Sequence, residues 1–188
     1  MKPLLVRIAM VLTFVTLTLG GCTTGYDPTM APRTVENVDL KRYQGTWYEL
    51  ARLPMYFQND CAQSEAHYAL KPDGNVAVTN RCRTLEGDWK EITGTASPQV
   101  AGKTDKLWVQ FDPWYTRLGP KGNYWVLYVS DDYQTAVVGH PDRKYLWLLS
   151  RKPRVSETVR DDLTAKARQQ GYDTSRLVWR VSDSKIGK

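Results

Sequence analysis

The sequence predicts an all-β fold: an eight-stranded antiparallel up-and-down β-barrel with one C-terminal α-helix packed outside and a short final strand. Three observations predict it. Between residues 45 and 151 the chain falls into short segments rich in β-branched and aromatic residues, punctuated by turn residues. Two of the later segments, Tyr124-Trp125-Val126-Leu127-Tyr128-Val129 and Tyr145-Leu146-Trp147-Leu148-Leu149, are apolar on both faces, whereas a sheet with one face in water alternates. Beyond them Val159, Leu163 and Ala167 recur every four residues as one narrow helical stripe.

Taken in order, residues 1–21 read as a secretory signal. Lys2 and Arg7 supply positive charge, residues 8–19 are apolar with Thr as polar filler, and Gly20-Gly21 precede Cys22. The apolar run is too short for a bilayer span, which needs about 20 residues. Leu19-Gly20-Gly21-Cys22 resembles the lipobox of bacterial lipoproteins. That resemblance implies cleavage before Cys22 and acylation of its thiol, and stable anchoring takes two acyl chains or more. Thr23 stands where an Asp would signal inner-membrane retention, so the expected location is the outer membrane, lipid-anchored, with the domain facing the periplasm. Residues 22–36, with few apolar side chains and two prolines, read as the acylated Cys and a flexible tether. The domain is expected over residues 37–188.

Strands are expected at 45–54, 62–70, 75–83, 88–96, 105–112, 123–131, 134–140 and 144–151. The turns between them include Lys71-Pro72-Asp73-Gly74-Asn75, Glu86-Gly87-Asp88 and His140-Pro141-Asp142-Arg143. Closing eight strands on themselves removes the open edges and leaves room for packed side chains or one small ligand. The strands apolar on both faces need cover outside as well as inside. Ser156 can cap a helix starting at Glu157 and Gly171 can end it, so a helix of about 14 residues supplies that cover. Residues 176–181 read as the final strand.

With Cys22 acylated, Cys61 and Cys82 remain as an even pair in an oxidising compartment, and a disulfide is expected. Pairing Tyr68 with Val78 across the Pro72-Asp73-Gly74 turn brings Ser64 opposite Cys82. Cys61 lies just past that register, so a bulge or bend must close the gap; two free buried thiols are the alternative. No metal site is expected, because His67 and His140 lie far from the cysteines and no C-x-x-C is present.

Gln44-Gly45-Thr46-Trp47-Tyr48-Glu49-Leu50-Ala51-Arg52 resembles the first signature of the lipocalin family, with its G-x-W core. Ser130-Asp131-Asp132-Tyr133 is similar to the second, T-D-Y, departing at the Thr. Leu149-Ser150-Arg151 resembles the third, whose fixed element is Arg. The three stand in order across the mature chain, closest in pattern to bacterial outer-membrane members. The resemblance implies that Gly45, Trp47, Asp132, Tyr133 and Arg151 close one end of the barrel, with Arg151 over the Trp47 ring. It also implies binding of a small hydrophobic ligand, a fatty acid or lysophospholipid. Some members pair, so a homodimer is open.

No catalytic constellation is present. G-x-S-x-G, H-E-x-x-H and phosphate-binding glycine loops are absent, and the expectation is a protein without enzymatic activity or cofactor. Net charge is +6, falling to about +4 without residues 1–21. The short basic run Arg151-Lys152-Pro153-Arg154 is too small to point to nucleic acid. The aromatic load favours a binding wall, and Trp89, Trp108, Trp125, Tyr128 and Trp147 are the pocket candidates. The rival expectation is a filled barrel in a structural or interaction lipoprotein.

Overall fold

The computed structural model describes residues 30–116 and 119–187. The expected signal and Cys22 lie outside the described residues. A short helix α1 (Leu40–Tyr43) leads into β1 (Gly45–Arg52), β2 (Gln63–Leu70), β3 (Val76–Arg83), β4 (Trp89–Pro98), β5 (Lys106–Phe111), β6 (Gly122–Val129), β7 (Thr135–Gly139) and β8 (Leu146–Ser150). Helix α2 (Glu157–Gln169) and a two-residue β9 (Val178–Trp179) follow.

All ladders are antiparallel, and from β1 through β8 each strand pairs with the next in sequence. β1 pairs with both β8 and β2, which closes the barrel, and β9 hangs on the far end of β1. The β2–β3 register is Tyr68 opposite Val78 and Ser64 opposite Cys82, as the turn predicts. Cys61 reaches Cys82 because the chain bends through a turn at Tyr56–Gln58 just before β2. The two are bridged, with Cα atoms 5.4 Å apart.

Two apolar layers form. The inner one includes Trp47, Tyr68, Val78, Leu107, Val126, Val138 and Leu149. The outer one holds Leu50, Leu127, Val137, Leu146 and Leu148 beneath Leu163 and Ala167 of α2. β6 and β8 therefore contribute to both layers, which is why neither alternates. Ser156 caps α2 by accepting from the Val159 N–H, and Gly171 leaves it at φ +84°. Just beyond, the buried Tyr172 donates from its hydroxyl to the His140 carbonyl at 2.8 Å. It fits only because residue 139 is Gly: a Cβ there would lie 2.1 Å from the Tyr172 hydroxyl.

Two boundaries differ from expectation. The tether expected to run to residue 36 is already docked from Met30 onward. Thr34 donates to Asp105 at 2.6 Å, the Arg33 N–H to Gln170 at 2.9 Å and the Val35 N–H to Val126 at 3.0 Å. These are polar bonds and leave no hydropathy pattern. The final strand is shorter than 176–181, because Arg176 completes a 3-10 turn. Arg180 and Val181 make single bonds to Leu50 and Ala62 without extending the ladder.

Candidate ligand-binding barrel

The turns β2–β3, β4–β5 and β6–β7 lie at the end of the barrel where β1 begins; the loops β1–β2, β3–β4, β5–β6 and β7–β8 lie at the other. The first end is closed. Asp39 caps α1 by accepting from the Lys41 and Arg42 N–H groups. The helix hands Trp47 into the interior, fully buried, where its indole donates to the Tyr43 carbonyl at 2.8 Å.

Arg151 crosses outside that ring with its guanidinium 4.0 Å from the centroid. It also donates to the carbonyls of Thr46 (2.9 Å), Arg42 (2.8 Å) and Tyr133 (3.3 Å). Gly45 sits at φ +91°, and a Cβ there would come within 3.3 Å of Arg151. The β6–β7 turn completes the floor. Asp132 accepts from Ser130 and from the Gln134 N–H. Tyr133, at φ 57°, accepts from the Asp39 N–H and lies under Arg42, 4.1 Å away. The closure residues thus meet at one end and leave no side of Trp47 to solvent.

Above Trp47 stand three phenols, Tyr43 and Tyr68 buried and Tyr124 half-buried. The Tyr43 and Tyr124 hydroxyls are 2.9 Å apart, and the Tyr68 ring is 5.9 Å from that of Tyr124. Burial pushes the Tyr68 hydroxyl up to about 12 and raises those of Tyr43 and Tyr124 well above the ordinary phenol value, so all three stay neutral hydrogen-bonding groups. The other buried residues of the inner layer are aliphatic, among them Val76, Val78, Ala96, Leu107, Val126, Ala136, Val138 and Leu149.

Near the open end the wall carries a charge pair. Glu49 and Arg52 are three apart and belong on opposite faces of a regular strand. A bulge between Glu49 and Ala51 puts both on the interior face, opposite Leu149 and Trp147. Arg52 donates to Glu49 at 2.8 Å, with both side chains under a tenth exposed. It also donates to the carbonyls of Gln58 (2.6 Å) and Cys61 (2.9 Å). Gln58 donates to the other Glu49 oxygen and to Ser64, and accepts from the Trp147 indole at 3.2 Å. The pair cancels its own charge and ties the β1–β2 loop across part of the mouth, while the Cys61–Cys82 bridge fixes the end of that loop to β3.

Of the pocket candidates, only Trp147 reaches the interior. The other four are corrected to the outside wall. Trp108 lies between the interior residues Leu107 and Val109 and so faces out. Trp125 packs in the layer under α2, with Lys106 over its ring at 4.4 Å. Tyr128 is covered by Lys166 of α2 at 4.1 Å. Trp89 is 44% exposed and stacked by Arg81 at 4.4 Å. Glu49, Arg52, Tyr43, Tyr68 and Tyr124 take the interior polar positions instead. Counting by twos from Trp47 would have placed Glu49; Arg52 depends on the bulge.

His140 spends both ring nitrogens, on Asp142 at 2.5 Å and Asn123 at 3.1 Å. His67 sits on the outer face of β2 beside Thr46.

The family model described as a lipocalin-like domain matches residues 38–182. The outer membrane lipoprotein Blc of Escherichia coli K12 is 36% identical over 154 residues, 81% of this chain and 84% of that protein. Its Vibrio cholerae namesake is 38% identical over 165 residues, covering 86% and 91%. Temperature-induced lipocalin-1 of Arabidopsis thaliana is 39% identical over 148 residues, covering 76% and 78%. Among solved structures, insecticyanin from the tobacco hornworm Manduca sexta shares the fold, with a TM-score of 0.65 at 21% identity, over 86% of this chain and 89% of that one. A closed eight-stranded barrel, its Trp47–Arg151 floor and these matches together place the chain in the lipocalin family.

Proposed function

We propose that the protein stores or transports a fatty acid or lysophospholipid for envelope maintenance. In this reading it is held to the outer membrane by acyl chains on Cys22, with the barrel in the periplasm. Lipocalins are generally carriers without enzymatic activity. The observation that carries the reading is the interior itself. An aliphatic wall runs from a neutral phenol floor to a self-neutralised ion pair. Apolar pockets with a few placed polar groups are how small amphiphiles are bound. An acyl chain along Val78, Val126 and Val138 is desolvated, at about 0.8 kcal/mol per buried methylene. The names of the relatives, outer membrane lipoprotein among the bacterial ones and apolipoprotein D in Bos taurus at 34% identity, support a lipid-linked role.

Native mass spectrometry of the membrane-extracted full chain tests the proposal. The expected spectrum shows acyl mass on Cys22 and one releasable lipid per barrel. A delipidated chain that takes up neither a fatty acid nor a lysolipid at micromolar concentration contradicts it.

One observation favours the rival filled barrel: Trp47, Val126, Ala136 and Val138 of the inner layer are at most 1% exposed. That rival predicts no saturable uptake.

A further inference from the structure

The two ends of the barrel differ sharply in what they show to solvent. The five exposed aromatic residues among those described are Tyr56, Phe57, Trp89, Trp114 and Tyr115, and all lie at the open end. Tyr56 is 81% exposed and Trp114 74%. Leu85, in the β3–β4 turn, adds to the same rim. The closed end exposes Val100 as its one large apolar side chain among the described residues. Scattered surface apolar residues need no explanation, but aromatic rings gathered on one rim do.

Met30, the first of the described residues, lies at that same rim. Arg143, in the β7–β8 turn, donates to the Met30 carbonyl at 2.7 Å and to the Gln170 carbonyl at 2.7 Å. Seven residues separate Met30 from Cys22, a contour of at most about 27 Å. An anchor on so short a lead starting beside the open rim keeps that rim near the bilayer. Presenting the closed end instead needs the lead to run back along the outer wall for most of its length.

The same rim offers cations. A concavity of about 380 Å³ just outside the mouth is lined by Tyr56, Tyr145, Arg143, Lys144 and Arg176, with Asp173 as its one acid. Lys144 also meets Asp142 at 3.1 Å and is still largely exposed. Trp and Tyr rings favour the headgroup level of a bilayer, and basic side chains beside them favour anionic headgroups.

We propose that the open rim, through Tyr56, Phe57, Trp114 and Tyr115, docks on the surface of the phospholipid bilayer in which the chain is anchored. The inference rests on the reading of Cys22 as the anchor. Docked this way, the mouth faces headgroups, and a lipid passes between bilayer and barrel without crossing bulk water. The β1–β2 loop that carries Tyr56 and Phe57 is held from inside by Arg52 and the Cys61–Cys82 bridge, which joins that part of the docking surface to the mouth.

The test uses the full lipidated chain in vesicles of phosphatidylethanolamine and phosphatidylglycerol, some containing dibrominated phosphatidylcholine to quench tryptophan. The docked chain loses emission in the brominated vesicles. Trp114→Phe loses about half of that quenching, and Trp108→Phe, on the outer wall, leaves it unchanged. Equal quenching in wild type and Trp114→Phe, with both co-floating with the vesicles, overturns the docking. So does a dimer whose dissociation requires Trp114→Glu, because the rim then belongs to a second copy. If the purified chain carries no acyl mass, the anchor reading fails separately. The rim is then read by the same quenching on chain added to vesicles from solution, and no Trp114-dependent signal there overturns the docking too.

Discussion

Replacing Glu49 by Ala is expected to be among the most costly single changes away from the apolar core. The carboxylate accepts from Arg52 at 2.8 Å and from Gln58 at 3.1 Å, and both members of the ion pair are almost wholly buried. Without it, the Arg52 guanidinium keeps only the carbonyls of Gln58 and Cys61, and its charge stays buried without a counter-charge. Breaking a buried pair from one side costs about 3–5 kcal/mol. With a urea m-value of about 2 kcal/mol/M, the midpoint falls by about 2 M. The double variant Glu49→Met/Arg52→Met removes both charges and is expected within about 1 kcal/mol of wild type. Urea unfolding of the oxidised protein, followed by tryptophan emission, reads both. A Glu49→Ala midpoint within about 0.5 M of wild type refutes the reasoning, since the charge must then find water that the geometry denies it. A double variant as weak as the two single losses added shows instead that Arg52 matters for holding the loop, not for answering Glu49.

Other expectations follow from the same geometry. Cys61→Ser/Cys82→Ser opens a loop closed over a separation of 21 residues and should cost about 3 kcal/mol in thermal or urea unfolding; wild-type stability would remove the bridge from the account. Gly139→Ala, at an ordinary strand φ, drives a Cβ into the Tyr172 hydroxyl and should cost about 1–3 kcal/mol by overpacking alone, whereas Gly102→Ala, at φ +76° with nothing within 4 Å, should cost only the left-handed backbone strain of about 1–2 kcal/mol. Arg151→Lys cannot span the three carbonyls and the Trp47 ring at once, and about 2 kcal/mol of loss is expected. The buried phenols set the alkaline limit. The folded-state Tyr68 value is raised to about 12 against about 10 unfolded, so its contribution is intact below pH 10 and disappears as pH climbs through about 12. Absorbance at 295 nm against pH should show late, unfolding-coupled ionisation, and Tyr68→Phe should flatten the stability loss; ordinary titration of every tyrosine near pH 10 would contradict burial.

The sequence made some of this legible and hid the rest for identifiable reasons. The β2–β3 register was readable because Pro72-Asp73-Gly74 fixes the turn and a period of two carries it to Ser64 and Cys82. The floor was readable through the resemblance of Gly45-Thr46-Trp47 and Arg151 to the lipocalin signatures; hydropathy alone does not place Arg151 over Trp47. The side of the wall on which an aromatic falls was not readable in β6 and β8. Both faces there are apolar, so the pattern carries no inside–outside information. Trp125 and Tyr128 went to the helix layer for that reason. The bulge between Glu49 and Ala51 has no glycine to announce it, so Arg52 was invisible as an interior residue. The docked stretch from Met30 to Asp39 adds Val38 to the inner layer with Val35 against it and is otherwise held by hydrogen bonds to single atoms, so no hydropathy period marks it.

The central claim is that the barrel interior holds one amphiphile. Filling that interior tests it most directly. Val138, wholly buried in the inner layer beside Trp147, is replaced by Phe, and the folded, delipidated protein is titrated with a fluorescent fatty acid and with a lysolipid. The account predicts one saturable site in the wild type and at least about tenfold weaker binding in Val138→Phe, the loss of roughly two buried methylenes of ligand. Binding unchanged by the larger side chain, or no saturable binding in the wild type, would contradict it.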